Sequence, residues 1–105
     1  MKKSDKAVRG SDTGRPIMVL LDHLGQRWAL RIIWELRDDR ITFRQLQERC
    51  DQVSPTMLNR RLKELRGLNL IDHDTGGYGL TQYGEELGER LIELSDWSKK
   101  WARSL

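Results

Sequence analysis

The side chains with the clearest chemical use lie in one run, Ser54-Pro55-Thr56-Met57-Leu58-Asn59-Arg60-Arg61-Leu62-Lys63-Glu64-Leu65-Arg66. At helical spacing, Leu62 and Leu65 fall within about 40° of Leu58 and form one apolar stripe. Thr56, Arg60 and Lys63 fall about 140° to 200° away, with Asn59 on the flank. A single outer face therefore offers a hydroxyl, an amide, a guanidinium and an ammonium. Arginine can bond guanine O6 and N7 through two parallel N–H groups, and asparagine can do the same to adenine N6 and N7. Threonine, lysine and the backbone amides near Ser54 suit phosphate, helped by the helix dipole. Arg61, near about 300°, has two readings: it reaches a phosphate, or its stem covers the core.

The elements that must position this face can be read around it. Ser54-Pro55 is the sharpest helix start in the chain, an N-cap hydroxyl followed by proline at the first helical position, and predicts a helix to about Arg66 ended by Gly67. Before it, Asp51-Gln52-Val53 is a turn of the length seen between helices. Thr42 and Gln45 form a capping-box signature for a short helix to about Cys50, with Phe43 and Leu46 as its apolar contacts. Arg40-Ile41-Thr42-Phe43 is long enough for one short strand. Pro16 opens a first helix carrying Ile17, Leu20, Leu21 and Leu24, stopped by Gly25. The second, about 26–37, places Ala29, Ile32, Ile33 and Leu36 on one side, widened by Trp28 and Trp34, which read as core. After the 54–66 helix, Leu68 to His73 and Tyr78 to Leu80 can pair as a hairpin across Asp74-Thr75-Gly76-Gly77. Thr81 caps a last helix from Gln82 to near Leu105.

The expected fold is mainly α with a small β-hairpin: about five helices and a two- to three-stranded sheet. Two helices joined by a three-residue turn, preceded by a strand and followed by a hairpin, is the order of a winged helix-turn-helix. The hairpin is the wing and residues 54–66 the recognition helix. Residues 1–15 read as a disordered basic tail and residues 16–105 as one DNA-binding domain ending in a dimerisation helix.

The chain has 105 residues, 37% hydrophobic and 33% charged, enough for one domain with a thin core. Net charge is +3, but residues 40–66 alone carry seven basic and three acidic side chains. Such a local block suits a phosphate surface, since neutralised phosphates release counterions. Arg44 belongs to that block and joins Ser54, Pro55, Thr56, Asn59, Arg60, Arg61 and Lys63 as candidate DNA contacts. No apolar run is long enough to span a membrane, no secretory signal opens the chain, and its single cysteine excludes a disulfide framework. These features predict a soluble, cytoplasmic protein with no membrane partner. His23 and His73 stand alone, and neither a glycine-rich phosphate loop nor a paired-histidine motif is present, so no enzyme, metal site or cofactor is expected. Cys50 reads as a small buried filler rather than a nucleophile.

The stretch from Asp22 to Leu87 resembles the HxlR-type winged helix-turn-helix transcriptional regulators, distant relatives of the MarR regulators. It carries Gly25-x-x-Trp28, Arg40-x-x-Phe43, Ser54-Pro55-x-Met57-Leu58-x-x-Arg61-Leu62-x-x-Leu65 and Leu80-Thr81-x-x-Gly84. The likeness extends over about residues 16–103. It implies a homodimeric, sequence-specific DNA-binding regulator, with the first and last helices making the dimer. Two departures stand out. Members usually carry a Cys-Pro pair before the first helix, whose thiol in some senses oxidants or electrophiles; here that position is Arg15-Pro16. The family wing is usually longer and richer in basic or polar residues, whereas this one is short, acidic at Asp72 and Asp74, and offers only His73. The basic tail is a candidate substitute for wing contacts.

A dimer is also expected without the family. One recognition helix reads only a few base pairs, so specificity generally takes two half-sites, hence a palindromic operator. The last helix carries an apolar stripe longer than a domain of this size can cover alone. Ile17, Leu20, Leu91, Leu94, Trp97 and Trp101 are the candidate interface residues. A small-molecule effector is not indicated; a pocket for one would lie at the dimer junction around Trp28, Trp34 and Trp97. The rival to DNA binding is a winged-helix module that docks a protein through its wing and apolar helix. The acidic wing favours that rival, and Arg60, Lys63 and the basic block oppose it.

Overall fold

The structure is a computed structural model and describes residues 14–105. The expected tail falls outside the described residues except for Gly14 and Arg15. Five helices and one hairpin follow in order: α1 Pro16–Leu24, α2 Ala29–Glu35, α3 Phe43–Arg49, α4 Pro55–Gly67, β1 Ile71–Asp74, β2 Gly77–Leu80 and α5 Gln82–Ala102. The sheet is the antiparallel pair of β1 and β2, with Ile71 opposite Leu80 and His73 opposite Tyr78. The strand expected at 40–43 reduces to one bridge, in which Ile41 and Tyr78 exchange backbone bonds of 3.0 and 2.7 Å. Thr42 leaves the ladder at once because it caps α3, accepting from the Gln45 amide while the Gln45 side chain returns to the Thr42 amide.

The core forms where the helices and hairpin converge. Ala29, Ile32 and Ile33 of the second helix and Leu36 at its C-cap cluster with Leu46 of the third and Cys50 at its C-cap, Leu58, Leu62 and Leu65 of the fourth, and Ile41, Leu70 and Ile71 around the hairpin. Thirteen buried apolar residues in one cluster are what a short chain needs to offset the entropy of ordering it.

Several boundaries differ from expectation for local reasons. α2 begins at Ala29 rather than 26, because Trp28 adopts φ 77°, a left-handed conformation that closes the elbow after α1. α4 runs through Gly67, and the chain leaves it at Asn69, also left-handed at φ 59°, so β1 starts three residues later than expected. Asparagine tolerates that region better than most residues. Trp34 is not core: it is half-buried at the surface, with the Arg37 guanidinium 3.6 Å from its ring centroid.

α5 is seated through its first turns. The Thr81 hydroxyl donates to the Asn69 carbonyl at 2.7 Å and accepts from the Gly84 amide. Gly84 lies so close to the Leu70 carbonyl that any Cβ would collide with it. That contact explains the threonine and glycine of Leu80-Thr81-x-x-Gly84: they let the helix start directly against the exit of α4. Among the described residues no helix is long and apolar enough to cross a membrane.

Candidate nucleic-acid interface

α4 presents the face its sequence predicts. Leu58, Leu62 and Leu65 are 0, 2 and 1% exposed, whereas Ser54, Pro55, Thr56, Asn59, Arg60 and Lys63 are all exposed. The Ser54 hydroxyl accepts from the Met57 amide at 3.1 Å and the Ser54 carbonyl from the Leu58 amide at 2.9 Å; Pro55 has no N–H, so Thr56 carries the one first-turn amide left without a helix partner. Arg44 lies exposed on α3, and Arg66 at the far end of α4.

Arg61 is a correction to the candidate contacts. It is 6% exposed, and its guanidinium donates to the Arg27 carbonyl at 2.8 Å, to Glu64 at 2.9 Å and to the Gln26 amide oxygen at 3.3 Å. A buried guanidinium must have its nitrogens partnered, and these three bonds give one partner to each of Nε, Nη1 and Nη2. Arg61 therefore anchors α4 to the α1–α2 elbow, and the packing alternative is the one the structure realises. Gln26 extends the anchor, its side chain donating to the Asp22 carbonyl of α1 at 3.3 Å. Sequence inspection offered no sign of Gln26, since a polar residue beside a glycine turn is unremarkable without its partner.

The basic block of residues 40–66 divides in two. Arg40, at the surface, and Arg61, buried, are committed to partners within the chain. Arg44, Arg60, Lys63 and Arg66 make no side-chain hydrogen bond or ion pair among the described residues, so their charges face solvent. Arg49 lies between these classes, 3.5 Å from the Glu35 carbonyl.

Arg40 was not a candidate from sequence, yet it sets the character of the hairpin. Its Nη1 lies 2.7 Å from Asp72 and donates to the Gly77 carbonyl at 3.0 Å, while its Nε lies 3.4 Å from Asp74. The hydrogen bond to the Asp72 carboxylate raises the Arg40 pKa above its ordinary value. The acidic wing read from sequence is thus a paired one. A signal for it was present: Asp72 and Asp74 are two residues apart on a strand, so their side chains share a face. On the other face, the His73 ring packs on Tyr78 with centroids 4.3 Å apart.

The other apolar candidates lie away from α4. Leu94, Trp97 and Trp101 are 51, 54 and 49% exposed, and Ile17 on α1 is 50% exposed. Leu20 and Leu91 are half-buried. Trp97 and Trp101 stack with ring planes 7° apart and centroids at 6.2 Å. Within one chain, Trp28, Trp34 and Trp97 do not line a common cleft; the pocket expected of them lies between two chains. Trp34 lines a shallow cleft of about 380 Å³ with Leu30, Leu91 and Leu94, Trp28 lines another beside Ser54 and Met57, and Trp97 lines neither.

Cys50 is fully buried, and burial pushes its thiol up to about 11. No group of metal-binding side chains occurs among the described residues.

Comparison with known proteins gives this geometry its context. Residues 23–105 match the family described as HxlR-like helix-turn-helix. An uncharacterized HTH-type transcriptional regulator of Methanocaldococcus jannaschii is 30% identical over 82 residues, spanning 74% of this chain and 77% of its own. The uncharacterized HTH-type transcriptional regulator YtfH of Escherichia coli is 32% identical over 89 residues, spanning 78% and 71%. Among solved structures, quinone-bound YodB from Bacillus subtilis superposes with a TM-score of 0.74 at 29% identity, covering 82% of this chain and 97% of YodB. A possible HxlR family transcriptional factor from Thermoplasma volcanium gives 0.73 at 27% identity, covering 84% and 85%. With the winged helix in place and the match spanning most of the chain, the protein belongs to the HxlR-like helix-turn-helix family, whose members are DNA-binding transcriptional regulators and not enzymes.

Proposed function

We propose that two copies of this chain bind a palindromic operator in double-stranded DNA, each laying α4 in the major groove, and that the protein works in the cytoplasm. The observation that carries this reading is the division of α4: one stripe sealed in the core and an opposite face of Thr56, Asn59, Arg60 and Lys63 open to solvent. Arg60 and Asn59 are placed to read base edges. Thr56, through its hydroxyl and its backbone amide, with Lys63 and Arg44, holds phosphates. Pro55 fixes the start of the helix that carries them.

The exposed apolar side chains of α1 and α5 support the two-fold assembly. Ile17, Leu94, Trp97 and Trp101 are costly to leave in water and can serve as anchors between copies, with Leu20 and Leu91 extending the patch inward. Two copies related by a two-fold axis present two recognition helices to half-sites about one helical turn apart.

The test is fluorescence anisotropy with duplexes tiling the DNA upstream of the protein's own gene, against random duplex, at several salt concentrations. Tight, salt-steep binding to one fragment is the expected result. Equal binding to every duplex would remove sequence specificity, and no binding at all would remove the reading. Sedimentation of the free protein checks the dimer.

A further inference from the structure

The hairpin poses an electrostatic problem. It follows α4 in the chain and packs against it, yet β1 bears two carboxylates in four residues. Bare carboxylates beside a phosphate backbone repel it, over a range of about 10 Å at 0.1 M salt.

The geometry around Arg40 answers that problem. Asp72 and Asp74 project from one face of β1, and their cross-strand partners are Gly79 and Gly77. Neither partner has a side chain, so a bare floor lies opposite the two carboxylates. The Arg40 guanidinium lies on that floor. It is so close to Gly79 that a Cβ there would stand 2.7 Å from the guanidinium carbon, and a Cβ on Gly76 would stand 3.3 Å from the Arg40 Cδ. From this position one cation reaches both carboxylates and the Gly77 carbonyl. Arg40 immediately precedes Ile41, the residue bridged to Tyr78, so the same contact holds the hairpin against the segment leading into α3.

We propose that Arg40 is the positioning residue of the wing: it clamps the hairpin to the Ile41 segment and screens Asp72 and Asp74, so that a hairpin bearing two carboxylates can lie beside DNA. Arg40 itself does not contact phosphate, since its charge is already shared between the two aspartates. This role rests on the DNA-binding reading above.

The test uses a labelled duplex of random sequence, with wild-type binding as the reference and circular dichroism melts to confirm folding. Arg40→Gln is expected to weaken binding roughly three- to tenfold at low salt, with the deficit shrinking as salt rises. Gly79→Ala keeps every charge and displaces only the guanidinium, and should shift affinity in the same direction. Adding Asp72→Asn and Asp74→Asn to Arg40→Gln removes the repulsion without restoring the clamp, and should recover the salt-dependent part of the loss. Adding Glu86→Gln and Glu89→Gln, two exposed carboxylates on α5, should not. Equal rescue by both pairs would mean that only net charge matters and would overturn the proposal, as would wild-type affinity in both Arg40→Gln and Gly79→Ala. A wild-type protein that binds no duplex would instead overturn the DNA-binding reading, and this role with it.

Discussion

α4 and the distal half of α5 are built on one plan, an apolar stripe at steps of three and four, but they treat it in opposite ways. In α4 the stripe of Leu58, Leu62 and Leu65 is sealed, and the cations lie outside. In α5 only the first turns are seated, at Gly84 and Gly88, and Leu94, Trp97 and Trp101 remain about half exposed. The difference says what each surface is for. Exposed guanidinium and ammonium groups cost nothing in water and gain most from meeting phosphate. Exposed indoles forfeit about 25 cal/mol for each Å² of apolar surface left wet, and only an apolar partner recovers it. One chain thus carries a surface fitted to a polyanion and another fitted to an apolar partner, which the proposed dimer would supply. Arg61 sits between them, joining α4 to the elbow that ends α1.

Truncating each stripe tests that contrast directly. Leu62→Ala should cost about 2–5 kcal/mol of folding stability in urea titration, independent of protein concentration, because a core cavity is a property of one chain. Trp97→Ala with Trp101→Ala should instead raise the dimer dissociation constant, by about 2 kcal/mol or more if these rings are central anchors. Sedimentation over a range of concentrations measures it, and an unchanged mass distribution would break the comparison. On the polyanion side the expected effects are smaller. Arg60→Ala should lose about 1–3 kcal/mol of operator binding and relax sequence preference, the mark of a base contact. Lys63→Ala should weaken all duplexes alike and flatten the salt slope by about one unit, the mark of a phosphate contact. If the two variants behave identically, α4 has no division of labour between reading and holding.

The parts of this molecule legible in its sequence are those encoded by neighbours in the chain. Thr42 and Gln45, Ser54 and Pro55, and Thr81 announce three helix starts because capping is a local bargain between residues at most three apart. The outer face of α4 is legible for a similar reason, since helical periodicity fixes which residues share a side. Arg40 and Arg61 were not resolved, because each acts across more than thirty residues of sequence. Arg40 counts in sequence only toward the charge of the basic block, and Arg61 keeps two readings there, because their partners are distant in the chain. Trp34 misled for the converse reason: large aromatics usually mark a core, but here the core was already filled by Ile32 and Ile33 on the adjacent positions.

The smallest effect concerns the interior behind both surfaces. Cys50 is the only thiol, and the family's usual sensing position holds Arg15. Burial raises the Cys50 pKa to about 11 from an ordinary value near 9, with the nearby Arg31 only partly opposing the shift. A group whose folded pKa is raised contributes its stability fully below the unfolded value and loses it as pH climbs through the folded one. Cys50 should therefore leave stability unchanged from pH 6 to 8 and begin to erode it only above about pH 9, where the unfolded thiolate becomes favoured. Cys50→Ser should leave a gentler alkaline slope in urea titrations at pH 8 to 10.5. The same burial predicts slow labelling of the native protein by thiol reagents at pH 7.5 and duplex affinity indifferent to mild oxidants. Rapid labelling, or release from DNA on oxidation, would show that Cys50 opens to solvent and that this chain has kept a thiol response at a second position.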